Sequence, residues 1–313
     1  MSGPSVLRLG TRGSALALWQ AERVAGRARC ELGIECRIEV ISTAGDRVAD
    51  RALHDLEGKG FFTKELQEAL LARRVDLVVH SLKDLPTEEP PGLQIAAIPE
   101  RGRATELLLA SRGSLQPTPA DPIGLPEGAV VGTSSLRRTA QLLALRPDLE
   151  VRALRGNVPT RVARLRDGRY DAIVLAAAGI DRLALSLEGL DRADLPPEVM
   201  LPAPGQGALA IETRLDDEAV RPLLALEVPA AARCVAAERR LLALIGGGCH
   251  LPLGCLATEE GEAVRLQAAL GMIDANSGRA EVARVAALAP GPEPAARACF
   301  EALRLALPEV LTP

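Results

Sequence analysis

The sequence predicts an α/β protein made of two similar strand–turn–helix halves and closed by a smaller α+β unit. Three observations carry that expectation. Short apolar runs such as residues 77–79 and 130–131 are β-branched and bounded by polar turns, as buried strands are. The order of strand, small polar turn and helix near the N-terminus recurs from residue 130 onward. Residues 256–285 then alternate in polarity with turns at Glu260-Gly261 and Asn276-Ser277-Gly278, before a closing helix over 294–307. With 313 residues, 48% of them hydrophobic, the chain can bury two or three cores at roughly 100–200 residues per domain.

Residues 6–9 read as the first strand and run into Gly10-Thr11-Arg12-Gly13-Ser14, where Ser14 caps a helix with Leu16, Trp19, Val24 and Leu32 as its apolar positions. A helix start offers free backbone N–H groups, so with Arg12 in the turn it suits an anion; a plain cap has the same sequence. Residues 36–42 alternate as a second strand. Residues 43–60 are polar and punctuated by glycine, and the loop holding Gly58, Lys59, Gly60 and Phe61 reads as a cover or an ordinary surface loop, ahead of a helix over 63–73. The strand 77–79 ends in His80, Ser81, Lys83 and Asp84, with Pro86 expected to stop further ladder pairing. Ligands of open α/β sheets bind beyond the carboxyl ends of strands. A carboxylate beside an ammonium there can move a proton and stabilise a cation, or be no more than an exposed ion pair.

Residues 93–98 and 106–109 read as strands, and the proline-rich segment 117–126 as a domain boundary or exposed connection. In Val130-Val131-Gly132-Thr133-Ser134-Ser135-Leu136-Arg137-Arg138 a turn with three hydroxyls opens a helix bearing two arginines. Such a turn grips an anion through N–H, hydroxyl and guanidinium donors, or caps a helix whose arginines are solvated. The Walker phosphate pattern is absent. Strand 150–154 ends at Arg155-Gly156-Asn157, Pro159 starts a helix containing Arg161, and strand 171–176 leads through Ala177-Ala178-Gly179 to Arg182. Three successive β–α units thus bring arginines to one rim, which predicts a ligand with several carboxylates or phosphates. Residues 201–209, including Gln206, form a glycine and proline turn into a strand up to residue 211, read as a return into the first domain. A helix over 230–245 stops at Gly246-Gly247-Gly248. The loop around Cys249 is therefore uncrowded and open to a bulky attachment, although a small buried cysteine fits it as well. A helix C-terminus does not lower a thiol pKa, so nothing here argues for a protease-like nucleophile.

A net charge of −4 and 2% aromatic residues argue against nucleic acid as a partner. Residues 132–182 nevertheless hold ten arginines against five acids, and only three of the 37 basic residues are lysine. The N-terminus lacks a basic region followed by an apolar run, and no apolar span reaches ~18 residues, so no membrane partner and a cytoplasmic location are expected. The six cysteines are then expected as thiols, without C-x-x-C spacing, and three scattered histidines predict no metal site.

Residues 9–14, 58–62, 79–86, 131–138, 154–161, 201–208 and 247–252 are seven runs that, in this order, resemble the porphobilinogen deaminase (hydroxymethylbilane synthase) family. The resemblance implies two periplasmic-binding-protein-like α/β domains joined by two crossing segments, with a third small α+β domain. Its boundaries would be 1–102 plus 203–225, then 103–202, then 226–313. It also implies a monomeric transferase of tetrapyrrole (haem) biosynthesis. Such enzymes join four porphobilinogen units into hydroxymethylbilane, releasing ammonia each time, on a dipyrromethane cofactor held by a thioether to the cysteine matching Cys249. On the same basis Asp84 is the catalytic carboxylate that stabilises an azafulvenium cation. Lys83, Asp84, Ser134, Arg137, Arg138, Arg155 and Gly156 hold the cofactor with Cys249, while Arg12, Ser14, Arg155, Arg161, Arg182 and Gln206 hold substrate. Relative domain movement and a mobile loop with Lys59 and Phe62 would let the chain grow past one site. Gly13, Pro204 and His250 depart from the family pattern without removing a required chemical group. Two other classes compete. An anion-binding module without catalysis would share the first two domains but needs neither Cys249 nor a third domain. A cysteine hydrolase needs an oriented histidine base, which His250 does not evidently provide.

Overall fold

The computed structural model describes residues 6–43, 63–246, 251–274 and 277–311. These gather into two units, one drawn from Met1–Gly102 and Gly207–Arg233, the other from Arg103–Gln206 and Cys234–Pro313.

The first unit holds a five-stranded sheet of β1 (Leu7–Thr11), β2 (Cys36–Val40), β3 (Leu77–Ser81), β4 (Leu93–Ala97) and β10 (Leu209–Arg214), in the order β2-β1-β3-β10-β4. β1 is parallel to β2 and β3, whereas β10 runs antiparallel to β3 and β4. Helix α1 (Ala15–Leu32) begins where Ser14 Oγ accepts from the Ala17 N–H and ends at Gly33, whose φ of 68° is left-handed. Its buried residues are Gln20, Ala21, Val24 and Ala28, not Leu16 or Trp19, so small side chains let it lie close to Leu7, Leu9, Leu77 and Val79. Helix α2 (Lys64–Leu71) places Leu66, Ala69 and Leu70 against Val75, Val78 and Leu93.

The second unit repeats the plan. Its first sheet orders β7 (Glu150–Arg152), β6 (Val130–Gly132), β8 (Ala172–Ala176), β5 (Glu106–Ser111) and β9 (Leu190–Leu195), with β6 parallel to β7 and β8 and β5 antiparallel to β8 and β9. Helices α3 (Leu136–Leu145), α4 (Val158–Arg166) and α5 (Ala177–Leu183) follow β6, β7 and β8. In both sheets the fourth strand directly follows a passage of the chain between units: β10 after Gln206, β5 after Gly102. The same unit carries the antiparallel sheet β11 (Leu253–Glu260), β12 (Ala263–Ile273) and β13 (Ala280–Ala289), with α7 (Pro292–Ala306), α8 (Pro308–Leu311) and, from Cys234 on, α6 (Pro229–Leu244). Leu241, Leu253, Cys255, Leu266, Leu270, Cys299 and Leu303 form its core. The architecture is thus two α/β sheets of one strand order plus a small α+β part, the α/β class expected.

Several local expectations are corrected. β3 extends through His80 and Ser81, because these residues pair with Ala210 and Leu209 of β10. The strand is ended by the 3-10 turn Leu82–Asp84, in which Leu85 N–H donates to the Leu82 carbonyl at 3.1 Å, and not by Pro86. Of the two readings of segment 117–126, the connection holds and the boundary does not: it joins β5 to β6, exposed over 117–120 but with Ile123 and Leu125 buried in that sheet's core. β9 has no recognisable signal, since Leu190–Leu195 mixes charges with apolar residues. Among the described residues no helix is long and apolar enough to cross a membrane, and no cluster has the makings of a metal site.

Candidate functional site

In the first unit, Arg12 and Ser14 follow β1, and Ser81 to Asp84 end β3, its parallel neighbour. Together with Gln20, His80 and Ser81, the side chains of Arg12, Ser14 and Asp84 line a cavity of about 70 Å³. Asp84 is exposed, and Lys83, on the same turn, is half-buried. Side chains of a strand alternate between faces. Ser81 therefore lies with Val79 on the α1 side, where its Oγ accepts from Gln20 Nε2 at 2.8 Å. His80 lies with Val78 on the α2 side.

The second unit gathers the arginine-bearing turns. Ser135 caps α3, its hydroxyl accepting from the Arg138 N–H, and Asn157 caps α4, accepting from the Thr160 N–H at 3.0 Å. Arg137 and Arg138 are not at a solvated rim: they are 5% and 6% exposed and share Glu106, which is 0% exposed at the first position of β5. Arg137 donates to Glu106 Oε1 at 2.6 Å and to the Leu201 carbonyl at 2.9 Å. Arg138 donates to Glu106 Oε2 at 2.7 Å and to the Val174 carbonyl at 2.9 Å. Burial pulls the Arg137 guanidinium below its usual pKa, against the upward influence of Glu106. Two guanidiniums on one carboxylate leave one buried positive charge in excess, and the Nε of Arg138 is buried with no hydrogen-bond partner. Both features call for an anion.

Around them, Ser134 Oγ donates to the Leu154 carbonyl at 2.9 Å and accepts from its N–H at 3.0 Å, so that hydroxyl ties the β6–α3 turn to the segment following β7. Gly156 has φ 98°, and a Cβ there would stand 2.8 Å from Thr160 Cγ2; its carbonyl accepts from Arg161 Nε at 2.7 Å. The half-buried Arg155 gives its carbonyl to Arg164 Nη1 at 3.1 Å. Arg182 is half-buried on α5, next to Asp181, whose carboxylate Arg103 holds at 2.7 Å. Gln206 is 1% exposed and donates to the Ala104 carbonyl at 2.7 Å, which makes it a strut of the crossing chain rather than an open ligand group.

The structure therefore brings together Arg12, Ser14 and Asp84, with Lys83 on the same turn, and separately Ser134, Arg155, Gly156 and Arg161. Lys59, Phe62 and Cys249 lie outside the described residues. Sequence reasoning missed Glu106, Gln20, Gln67 and Glu212. A signal existed for the two acids: each borders an apolar run that reads as a buried strand, where a carboxylate needs a partner.

Two family models match this chain: "Porphobilinogen deaminase, dipyromethane cofactor binding domain" over residues 7–222, and "Porphobilinogen deaminase, C-terminal domain" over residues 232–296. The porphobilinogen deaminase of Roseiflexus castenholzii is 47% identical over 270 residues, covering 86% of each chain. Those of Roseiflexus sp. (strain RS-1) and Acidothermus cellulolyticus are 48% and 49% identical, over 87% and 84% of this chain and 87% and 78% of their own. With both of its parts matched by the family's own domains and relatives this similar along most of its length, the chain belongs to the porphobilinogen deaminase family.

Proposed function

We propose that this protein joins four porphobilinogen units head to tail into hydroxymethylbilane, releasing ammonia at each step, on a dipyrromethane primer attached to Cys249. The observation that carries the reading is the Arg137–Glu106–Arg138 cluster, with its uncompensated positive charge and its unpartnered Arg138 Nε. A dipyrromethane bears an acetate and a propionate on each ring, and these residues fit such a polyanion. Lys83, Asp84, Arg137, Arg138, Arg155 and Gly156 would hold it, with Cys249 as the point of attachment. Ser134 contributes by fixing its turn, since its hydroxyl is engaged with Leu154. When bound, the cofactor supplies the pyrrole carbon to which the first unit is joined.

The remaining chemistry belongs to the chain's own residues. Arg12, Ser14, Arg155, Arg161 and Arg182 pair with the substrate's carboxylates and orient its ring, as guanidiniums do bidentately. Gln206 supports them from the crossing segment. Asp84, exposed at the end of β3, assists proton transfer as the aminomethyl group loses ammonia and then faces the positive charge left on that carbon. The family resemblance further supports a monomeric, cytoplasmic enzyme, which sedimentation of the purified protein as a single chain would test.

The test of the whole reading is an intact mass of the purified protein beside a Cys249→Ala variant. An excess equal to two linked pyrrole units in the parent, absent from the variant, is the expected result. If the parent has a bare mass and incubation with porphobilinogen adds nothing to it, the enzyme reading fails and an anion-binding protein becomes the better account.

A further inference from the structure

Behind Asp84 the first unit carries three buried polar side chains that the proposed reaction does not use. His80 Nε2 and Glu212 Oε2 are 2.9 Å apart, and Gln67 Nε2 donates to Glu212 Oε1 at 2.8 Å. The three are 5%, 1% and 9% exposed and come from β3, β10 and α2. Their placement follows from the register: Glu212 stands opposite Val78, so His80, two residues along on the same face, is its diagonal neighbour. Burying such groups is costly unless each finds a partner, and here the carboxylate finds two. Gln67 can only donate through Nε2. If Glu212 accepts on both oxygens, the imidazole presents Nε2–H to it and keeps a lone pair on Nδ1, which engages no described side chain. A carboxylate behind an imidazole fixes its tautomer and stabilises the imidazolium once a proton arrives.

His80 is also among the residues that line the cavity beside Asp84. That cavity measures about 70 Å³ and is lined by polar groups, which is room enough for water to enter it.

We propose that His80 is the proton acceptor behind Asp84, a relay that returns Asp84 to its charged form in every round. This rests on the reading of Asp84 given above. In each round a carbon–carbon bond forms at the α-carbon of the terminal pyrrole, its C–H bond breaks, and that electron pair returns to the ring. The proton passes to the Asp84 carboxylate and, through water, to His80 Nδ1. The resulting imidazolium is neutralised by Glu212, and the ammonia released in the same round takes the proton away as ammonium.

Steady-state kinetics on cofactor-loaded His80→Asn and Glu212→Gln test the relay, with loading verified by intact mass. The expected result for His80→Asn is a kcat about a hundredfold lower with KM for porphobilinogen within about twofold of the parent, and a larger solvent deuterium isotope effect on kcat. Glu212→Gln keeps a hydrogen-bonding partner but removes the charge, and should move kcat in the same direction by less. A raised KM with kcat preserved, or parental rates in both variants, would overturn the relay. Asp84→Asn at the parental rate would instead sink the reading beneath it, whereas an inactive Asp84→Asn beside a fully active His80→Asn sinks the relay alone. A measurement on the unsubstituted protein covers the case of variants that do not fold. The chain has three histidines, so ¹⁵N-histidine spectra, assigned with His54→Gln and His250→Gln, resolve the His80 ring. An unprotonated Nδ1 is expected; a protonated Nδ1 with a bare Nε2 would rule the relay out.

Discussion

Glu106 is the acid on which the arginine cluster depends, since it is the carboxylate that both Arg137 and Arg138 share. Removing one partner of a buried ion pair leaves the other uncompensated, at a cost of about 3–5 kcal/mol. Glu106→Gln is accordingly expected to lower the urea midpoint with an unchanged m-value, whereas replacement of an exposed acid such as Glu188 should leave it within error. Gly156 makes a second test at this scale. Its φ of 98° and the 2.8 Å approach of Thr160 Cγ2 to an added Cβ predict that Gly156→Ala costs about 1–3 kcal/mol and weakens cofactor loading, read by intact mass. The arginines of the cluster were legible in the sequence because they stand together at a helix start. Their pairing with Glu106 was not, because that acid lies 31 and 32 residues from them and reaches them only through the sheet.

At the scale of elements, the three-stranded sheet of the second unit docks on α3 and on the chain around Leu201 through two glycines. A Cβ on Gly271 would lie 2.5 Å from Ala140 Cβ, and one on Gly254 would lie 2.7 Å from the Leu201 carbonyl oxygen. Gly271→Ala should therefore cost about 1–3 kcal/mol as overpacking, seen as a lower thermal midpoint. Arg284 of β13 reinforces the same docking, donating to the Val199 carbonyl at 2.8 Å and to Gln141 Oε1 at 3.1 Å. Inside that α+β part, burial pushes the Cys299 thiol up to about 11 from 9.0. The unfolded chain then loses its thiol proton above pH 9 while the folded chain keeps it, so the folded state binds more protons and stability falls as pH rises from 9 toward 11. The midpoint of the parent should decline over that window, and more steeply than that of Cys299→Ala. The strand–turn–helix order of these elements was legible from caps and apolar runs. The antiparallel course of β5 and β10 was not, since each looks in sequence like any other buried strand.

For the whole molecule, the excess positive charge of the Arg137–Glu106–Arg138 cluster links cofactor loading to stability. A group bound by the folded state alone raises its stability. Cys249→Ala, which cannot carry the dipyrromethane, is therefore expected to unfold at a lower temperature than the loaded parent, and added salt should narrow the difference by screening the exposed part of the attraction. Equal midpoints for the two proteins would mean that the Arg137–Glu106–Arg138 cluster is self-sufficient and that its charge serves another end. Only the mixed sheets, with their fourth strands supplied by chain that has just passed between units, explain why residues 207–233 belong with the N-terminal segment.

The sequence by itself determined what depends on near neighbours along the chain: helix starts at Ser14, Ser135 and Asn157, alternation in the last sheet, and seven family runs in order. Side-chain chemistry and local backbone preference act over a few residues, so a linear reading contains them. The tertiary structure alone decided which buried charges meet. His80 and Glu212 are 132 residues apart, and Arg137 and Glu106 face each other only because β8 separates β6, the strand before α3, from β5. Partners across a sheet are set by strand order and register, which no spacing in the sequence encodes.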